Sequence, residues 1–275
     1  MLMGKGFRFG MSMRFIKSRE AFVDKVKRAE DAGFDILCVP DHLGAASPIA
    51  ALTAAAMVSA DLKLSMYVLN AAFYKPALLS RDLGDLDKIS EGRLEIGLGT
   101  GYVKEEFDAA ELPYPSAGAR VDYLKHMTTY LKEHHPKTPI LIAGNGDRVL
   151  TIAARHADII GLTGSRVRED ADDPLTERVE FVRKAAGDRF DSLELNLAIT
   201  AVPAEGQTVP DLTMTRNYAP GLTDEELLEQ TSVLSGTPRE MADRISMYRE
   251  KYGVTSVTVQ DNHVKTFAKV IAELR

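Results

Sequence analysis

The chain alternates short apolar runs with longer amphipathic stretches in which apolar residues recur every three to four positions. Short runs rich in β-branched residues indicate buried strands, and the longer periodic stretches indicate helices that pack on one face. The predicted strands are residues 7–13, 35–39, 62–69, 93–98, 139–143, 158–162, 193–202 and 256–260. The predicted helices are residues 18–32, 49–59, 76–89, 119–133, 148–156, 175–186, 238–252 and 264–274.

Eight strands that alternate with helices predict a closed (β/α)8 TIM barrel of the α/β class. A doubly wound open sheet is the alternative, although an open sheet does not need eight regular units. No linker or internal repeat divides the chain, so we expect a single domain over residues 1–275. One connection is long: residues 203–235, with a predicted short helix at 223–234, form either a lid or binding loop or a passive surface excursion.

Composition narrows the classes of function. The net charge is −6 and acidic and basic residues are interspersed, which disfavours nucleic-acid binding. The single cysteine, Cys38, lies inside a predicted strand, where a small buried hydrophobe and a cytosolic setting are expected. The first residues lack a long apolar region, so no signal peptide is expected. No apolar run approaches the roughly 20 residues needed to span a bilayer.

Asp41 and His42 directly follow the second apolar run. In α/β barrels the carboxyl ends of the strands form the edge where ligands bind and catalysis occurs. His42 in that position could donate a proton or a hydrogen bond to a ligand, and Asp41 could shape the pocket. The alternative for His42 is a purely structural histidine. Nowhere do cysteine, histidine and acidic residues show the spacing of a metal site, so we expect no metal.

Two glycine-containing turns follow later strands. Gly144, Asn145 and Gly146 lead into a helix that begins near Arg148. Glycines allow close backbone approach, free N–H groups at a helix start favour an anion, and Arg148 could add a charged contact. These features suit a phosphate; the alternative is an ordinary tight turn.

The other turn, residues 97–102, lacks the G-x-G-x-x-G spacing of dinucleotide-binding proteins. Its glycines would let a flat ring approach the barrel wall, and Tyr102 could stack on that ring. Simple packing of the barrel wall is the alternative interpretation of the same residues.

Taken together, these segments resemble the luciferase-like flavin and deazaflavin oxidoreductases. The segments are FRFG (7–10), AEDAGFD (29–35), VPDHL (39–43), residues 69–76, ISEGRLEIGLGTGY (89–102), residues 139–148 and AARHAD (153–158). The resemblance implies a (β/α)8 barrel with a cofactor across its mouth. The Asp41-His42 pair and the Gly99-Thr100-Gly101 turn look most like members that use coenzyme F420, a deazaflavin.

By the same resemblance, His42 would face the reactive ring, and His42 and Asp41 are the candidate catalytic residues. A non-proline cis peptide at Tyr67–Val68 or Val68–Leu69 would back the ring. The implied cofactor contacts are Tyr67, Val68, Asn70, Thr100, Gly101, Tyr102, Gly144, Asn145, Gly146 and Arg148.

The chain also departs from this family in two places. Residues 132–138 replace a long excursion that family members usually carry, which would leave one side of the mouth open. Residues 103–107 lack an asparagine that many relatives have there. We see no basic cluster at the mouth, so a phosphorylated sugar is not the expected substrate.

The main hypothesis is a cytoplasmic F420-dependent oxidoreductase that acts on a small molecule or a modified peptide. The reaction would be reduction of an activated C=C or C=N bond in a natural-product pathway. The alternatives are an FMN-dependent luciferase-like monooxygenase and a non-catalytic cofactor-binding partner subunit. A homodimer is expected from the family resemblance.

Overall fold

A computed structural model describes residues 6–164 and 173–275 of the chain. The strands in these ranges are β1 (Arg8–Ser12), β2 (Ile36–Val39), β3 (Lys63–Met66), β4 (Leu69–Asn70), β5 (Leu94–Gly99), β6 (Ile140–Ala143), β7 (Ile159–Leu162), β8 (Glu194–Ala198) and β9 (Val254–Gln260). The helices are α1 (Arg19–Asp31), α2 (Pro48–Ala56), α3 (Pro76–Ile89), α4 (Lys104–Ala109), α5 (Ala117–His134), α6 (Asp147–His156), α7 (Pro174–Ala186), α8 (Thr213–Tyr218), α9 (Asp224–Glu229), α10 (Pro238–Tyr252) and α11 (Val264–Leu274).

All strand pairings are parallel, and the sheet closes on itself. Strand β1 lies between β2 and β9, with Gly10 paired to Ile36 on one side and to Thr258 on the other. The ring closes where β3 pairs with β5. Strands β3 and β4 are two segments of one stave, so the barrel has eight staves, and the predicted (β/α)8 fold is confirmed.

Helices surround the barrel and cover its outer face. Their apolar stripes pack inward, as in α3, where Leu79, Leu83 and Leu86 are buried at helical spacing. Caps define several helix starts: the Ser18 side chain accepts from Ala21 N before α1, and Thr237 and Glu240 form a capping box before α10. Because the paired strands run parallel, their carboxyl ends lie at one mouth of the barrel. No helix within the described residues is long and apolar enough to cross a membrane.

The largest differences between predicted and observed strand boundaries occur in three strands. The third predicted strand is interrupted after Met66 and resumes at Leu69, and the intervening Tyr67–Val68 peptide is cis. The seventh ends at Ala198, and Ala201 forms only an isolated bridge with Val233. The last begins earlier, at Val254.

Two short helices, α4 and α8, were not predicted, since six residues are too few for a periodic apolar pattern to show.

The long connection at residues 203–235 packs against the end of β8. Its predicted helix is shorter than expected, since α9 spans Asp224–Glu229 behind the cap residue Thr223. The Leu234 backbone N–H donates to the Ala201 carbonyl at 3.0 Å, and the Thr200 and Thr215 hydroxyl oxygens lie 2.7 Å apart. Leu227 is fully buried. The connection is therefore anchored at both ends, and a lid role for it stays a prediction.

Candidate functional site

The mouth of the barrel brings together His42 and an acidic residue of α4. The His42 Nδ1 atom lies 2.9 Å from Glu106 Oε1. An ionised Glu106 accepts from Nδ1–H, which leaves Nε2 as the nitrogen that can exchange a proton with a ligand. The ring of Tyr102 lies edge-on to the imidazole, with ring centroids 6.3 Å apart. The imidazole is therefore oriented by two neighbours, and 31% of its side chain stays accessible.

Glu106 was not identified from the sequence, because α4 itself was not predicted. The available signal was an acidic residue in the first turn of a helix that starts just after a glycine-rich strand end. A carboxylate in that place can reach across the mouth to a neighbouring strand end. The segment 103–107, noted only for its missing asparagine, therefore supplies the partner of His42.

Asp41 forms a separate network that joins two strand ends. Its Oδ2 atom accepts from the Asn70 backbone N–H at 3.0 Å, and its carboxylate also pairs with the Tyr74 hydroxyl. Burial raises the pKa of Asp41, and the hydrogen bonds from Asn70 and Tyr74 oppose that shift. Asp41 thereby holds the end of β4 beside β2. This contact positions the strand ends, and a catalytic role for Asp41 stays a prediction.

A shelf of closely packed backbone lies between β4 and β5. A Cβ atom added to Gly99 would lie 2.7 Å from Val68 Cγ2, and one added to Gly101 would lie 2.2 Å from Asn70 Oδ1. Gly101 also has a φ of +68°, which favours glycine. The Tyr67–Val68 peptide is cis, which confirms one of the two positions expected for such a bond. Glycine is thus required for this flat contact between the two strand ends.

Arg120 fixes the glycine shelf from outside the mouth. Its Nε atom donates to the Gly101 carbonyl at 3.0 Å, and its guanidinium lies 4.3 Å from the centre of the Tyr114 ring. The side chain is buried, with 8% relative exposure. This residue was not predicted, because it lies in the first turn of an ordinary amphipathic helix.

The remaining predicted residues near the glycine shelf differ in exposure and in the direction of their side chains. Thr100 is half-buried beside Gly101, and Tyr102 is 64% exposed at the rim. The Tyr67 hydroxyl points into the barrel and donates to Asn196 Oδ1, whose amide Nδ2 donates in turn to Ser256 and Thr258. Any contact of Tyr67 with a ligand at the mouth would therefore be made by its backbone.

The predicted phosphate turn lies next to the glycine shelf. A Cβ on Gly99 would lie 3.9 Å from the Ala143 carbonyl, where β6 ends and the turn begins. Gly146 caps α6, and no described residue other than its two chain neighbours lies within 4 Å of a Cβ built on it. The first backbone bond of α6 is Leu150 N to Gly146 O, at 2.9 Å. The preceding N–H groups of the helix start are oriented for an anion.

A buried arginine that was not predicted supports this turn. Arg178 of α7 donates from Nη1 to the Asn145 carbonyl at 3.1 Å and to Asp147 Oδ1 at 2.6 Å, with 4% of its side chain exposed. Asn145 itself donates from Nδ2 to Thr163 Oγ1 at 2.7 Å. Arg148, in contrast, pairs with Asp122 of α5 at 2.6 Å, on the outer side of α6.

These residues fit a cofactor with a flat ring and a phosphate-bearing chain. At the glycine shelf, Gly99 and Gly101 let the strand ends pack directly against Val68 and Asn70, which adds no bulky side chain between them, and the open space at Gly146 adjoins the start of α6. Among residues 6–164 and 173–275, no group of three or more histidine, cysteine or acidic residues could hold a metal ion. Burial raises the pKa of the Cys38 thiol, which keeps that cysteine protonated inside the barrel.

The fold and the mouth define a class: α/β barrels with a ligand site at the carboxyl ends of their strands. Residues 7–209 match the model of the luciferase-like monooxygenase family, and the chain belongs to that family.

Relatives and solved structures extend this finding. The chain is 37% identical over 90 residues to 5,10-methylenetetrahydromethanopterin reductase of Methanopyrus kandleri, a match that covers 33% of this chain and 26% of that protein. It is 27% identical over 193 residues to F420-dependent glucose-6-phosphate dehydrogenase of Intrasporangium calvum, covering 58% of each. In both cases the match spans less than two thirds of the relative.

A similar fold occurs in a solved F420-dependent secondary alcohol dehydrogenase in complex with an F420–acetone adduct. The TM-score is 0.77 at 16% identity, with 98% of this chain and 100% of that chain covered. At this identity the likeness shows the shared fold.

Proposed function

We propose that this protein is an F420-dependent oxidoreductase that transfers hydride between the deazaflavin and an organic substrate. The observation that carries the proposal is the His42–Glu106 pair beside the glycine shelf, which presents one ring nitrogen to the mouth. Two similar proteins that act with F420, by their names, support the choice of cofactor.

When bound, F420 supplies a ring carbon that accepts or gives hydride and reacts poorly with oxygen. The chain would contribute binding, orientation and proton handling. Val68, Asn70, Thr100 and Gly101 would hold the ring, and the start of α6 with Gly144, Asn145 and Gly146 would hold the phosphate. The Nε2 atom of His42 would hold or move a proton, while Glu106 fixes the imidazole tautomer.

The exposed side chains at the rim of the mouth favour an apolar organic substrate. Four large apolar or aromatic residues there are about half exposed or more: Phe15 (52%), Leu43 (48%), Tyr102 (64%) and Tyr218 (57%). The Ala46 N–H donates to the Arg14 carbonyl at 2.9 Å, which joins the segment of Phe15 to the loop after His42. Exposed apolar patches of this kind mark binding surfaces.

The finer features of the reaction rest on the same proposal. The connection between α5 and β6 is only a few residues long, which would give a bulky substrate such as a modified peptide access to the mouth. Reduction of an activated C=C or C=N bond in a natural-product pathway is the proposed chemistry. A cytoplasmic location suits the single buried cysteine, and a homodimer is proposed from the family resemblance.

Substitution of His42 tests the catalytic assignment. His42→Ala should lower kcat by about 10²- to 10⁴-fold, the range of general acid–base catalysis, while the Kd for F420 changes little. Glu106→Gln should lower kcat less, because the amide oxygen still accepts from Nδ1–H. Matched controls are the exposed residues His126→Ala and Glu105→Gln. An equal loss of cofactor affinity and turnover in His42→Ala would contradict the proton-handling role.

A monooxygenase that uses FMN is the second candidate, favoured by the match of residues 7–209 to the luciferase-like monooxygenase model. Parallel calorimetric and fluorescence titrations with F420 and FMN separate the two. Micromolar or tighter binding of F420 alone supports hydride transfer. Preference for FMN, with oxygen consumption by the reduced complex, supports the monooxygenase, and tight F420 binding without turnover supports the non-catalytic partner subunit.

A further inference from the structure

A groove runs along the outside of the barrel between α5 and α6. We call it the α5–α6 groove, and its charged lining residues are Asp122, Lys125, Asp147, Arg148, Arg155 and His156. The α6 residues Arg148, Ile152, Arg155 and His156 recur at helical spacing and so share one face. Arg155 lies seven residues after Arg148, which corresponds to about 10 Å along the helix axis.

The groove begins at the predicted phosphate turn. Asp147 and Arg148 are the first two residues of α6, and Gly146 is its cap. The groove therefore starts where the phosphate of a bound cofactor would lie, and it leads away from the mouth along the helix. A chain that continues beyond that phosphate would enter the α5–α6 groove without crossing the barrel rim.

The charges in the groove leave two cations available. Asp122 pairs with Arg148 and Asp147 pairs with Arg178, each at 2.6 Å. Both carboxylates are thus already neutralised. Lys125 and Arg155 are exposed, and neither has an ion-pair partner among residues 6–164 and 173–275.

The pKa of His156 is consistent with an excess of positive charge in the groove. Its pKa is lowered, first by burial and then by Lys125, Arg189 and Arg155. Of these neighbours, Arg189 is already bonded to the carbonyls of Ala154 and Ala157. Cations held this close repel each other. An anionic ligand in the groove would relieve that repulsion and would be attracted to these side chains.

The occupant that fits is a flexible polyanion attached to a phosphate. F420 carries such an extension, because a chain of glutamates with free carboxylates follows its phosphate. We propose that the α5–α6 groove binds the glutamate tail of F420, with Lys125 and Arg155 as its main contacts. This inference rests on the proposed function, since a cofactor that ends at its phosphate, such as FMN, would leave the groove empty.

The test compares two forms of the cofactor by calorimetry at low salt: F420 without glutamates and F420 with a long glutamate tail. Two exposed charge pairs should tighten binding of the long-tailed form by roughly tenfold. The advantage should shrink as salt is added, because the contacts are solvent-exposed. The readout is affinity, which does not depend on finding the substrate.

The double variant Lys125→Gln/Arg155→Gln removes the two available cations without touching the mouth. It should bind F420 without glutamates as the unchanged protein does, and it should lose the preference for the long tail. The control Lys17→Gln/Lys184→Gln removes two exposed cations elsewhere and should keep that preference.

Three results would overturn the inference. Equal binding of the two forms by the unchanged protein contradicts a tail site, while F420 binding and the proposed function stand. Loss of the preference in the Lys17/Lys184 control would show an effect of overall charge only. Failure of both forms to bind rejects the proposed function and the groove assignment together.

Discussion

At the scale of single residues, neighbours in the sequence have unlike surroundings at the mouth. His42 is partly open and faces Glu106, whereas Asp41 is enclosed by Asn70 and Tyr74. Burial also raises the pKa of the Tyr74 hydroxyl, and the negative charge of the nearby Asp41 raises it further. Asp41 is therefore suited to hold the strand ends together, and its neighbour is suited to exchange protons.

Substitution of Asp41 should separate these roles. Asp41→Ala leaves the Asn70 N–H without its acceptor and should lower the free energy of unfolding by about 1–3 kcal/mol. Asp41→Asn should cost less, because an amide oxygen can still accept. Urea unfolding of each variant measures the change, with Asp61→Ala, an exposed site, as control. A larger loss in the asparagine variant than in the alanine variant would contradict this account.

The pH dependence of the same pair has a definite sign. The folded pKa of Asp41 is raised, so its contribution to stability is greatest below the unfolded pKa of about 3.9 and is lost as pH rises through the folded value. The unchanged protein should therefore lose stability relative to Asp41→Asn as pH rises from about 4. Urea unfolding at several pH values would show a constant difference if this were wrong.

At the scale of elements, caps fix where the helices around the mouth begin. Asp173 precedes α7, the helix that carries Arg178 to the predicted phosphate turn. Its carboxylate accepts from Thr176 N at 3.1 Å, from the Tyr252 hydroxyl at 3.0 Å and from Lys251 at 2.7 Å. Burial alone would raise its pKa, but the hydrogen bonds from Lys251, Thr176 and Tyr252 hold the pKa of Asp173 at about 2.

Removal of this cap should destabilise the protein in a pH-dependent way. Asp173→Ala should lower the free energy of unfolding by about 1 kcal/mol at neutral pH. Because the folded pKa is depressed, the contribution is present above the unfolded value and is lost as pH falls from about 4 toward 2. Unfolding curves at neutral and acidic pH measure this. Asp188→Ala, an exposed control, should show neither effect, and a loss that grows in acid would contradict the sign.

At the scale of the whole molecule, a partly buried ionic cluster joins distant strands inside the barrel. Arg8 of β1 bonds to Glu194 of β8 at 2.9 Å and also pairs with Glu95 of β5. The Glu95 side chain is 5% exposed. These residues lie 87 and 186 positions from Arg8 in the sequence, so the cluster forms only when the barrel closes.

Loss of the cation from this cluster should be severe. Arg8→Met leaves the buried Glu95 and the partly buried Glu194 without their partner and should cost about 3 kcal/mol of unfolding free energy. Replacing all three residues by apolar ones of similar volume should recover most of that loss. Urea unfolding measures both variants, and Arg19→Met on the exposed face of α1 is the control. No recovery in the triple variant would show that the charges themselves stabilise the barrel.

The sequence by itself determined the repeating order of strands and helices, and with it the barrel. It also determined which residues follow each strand, so Asp41, His42 and the turn at Gly144 could be placed at the mouth in advance, while their roles stay predictions. This works because apolar periodicity and glycine turns are local properties of the chain, and because parallel strands of a barrel end at one mouth.

Only the tertiary structure decided which of these residues meet. It paired His42 with Glu106, 64 positions away, and brought Arg178 against the predicted phosphate turn. It also turned the Tyr67 hydroxyl inward and directed Arg148 to the outer groove. Side-chain direction and contacts between distant segments depend on how the helices pack around the closed sheet. No local pattern in the sequence encodes that packing, so these contacts could not be predicted from it.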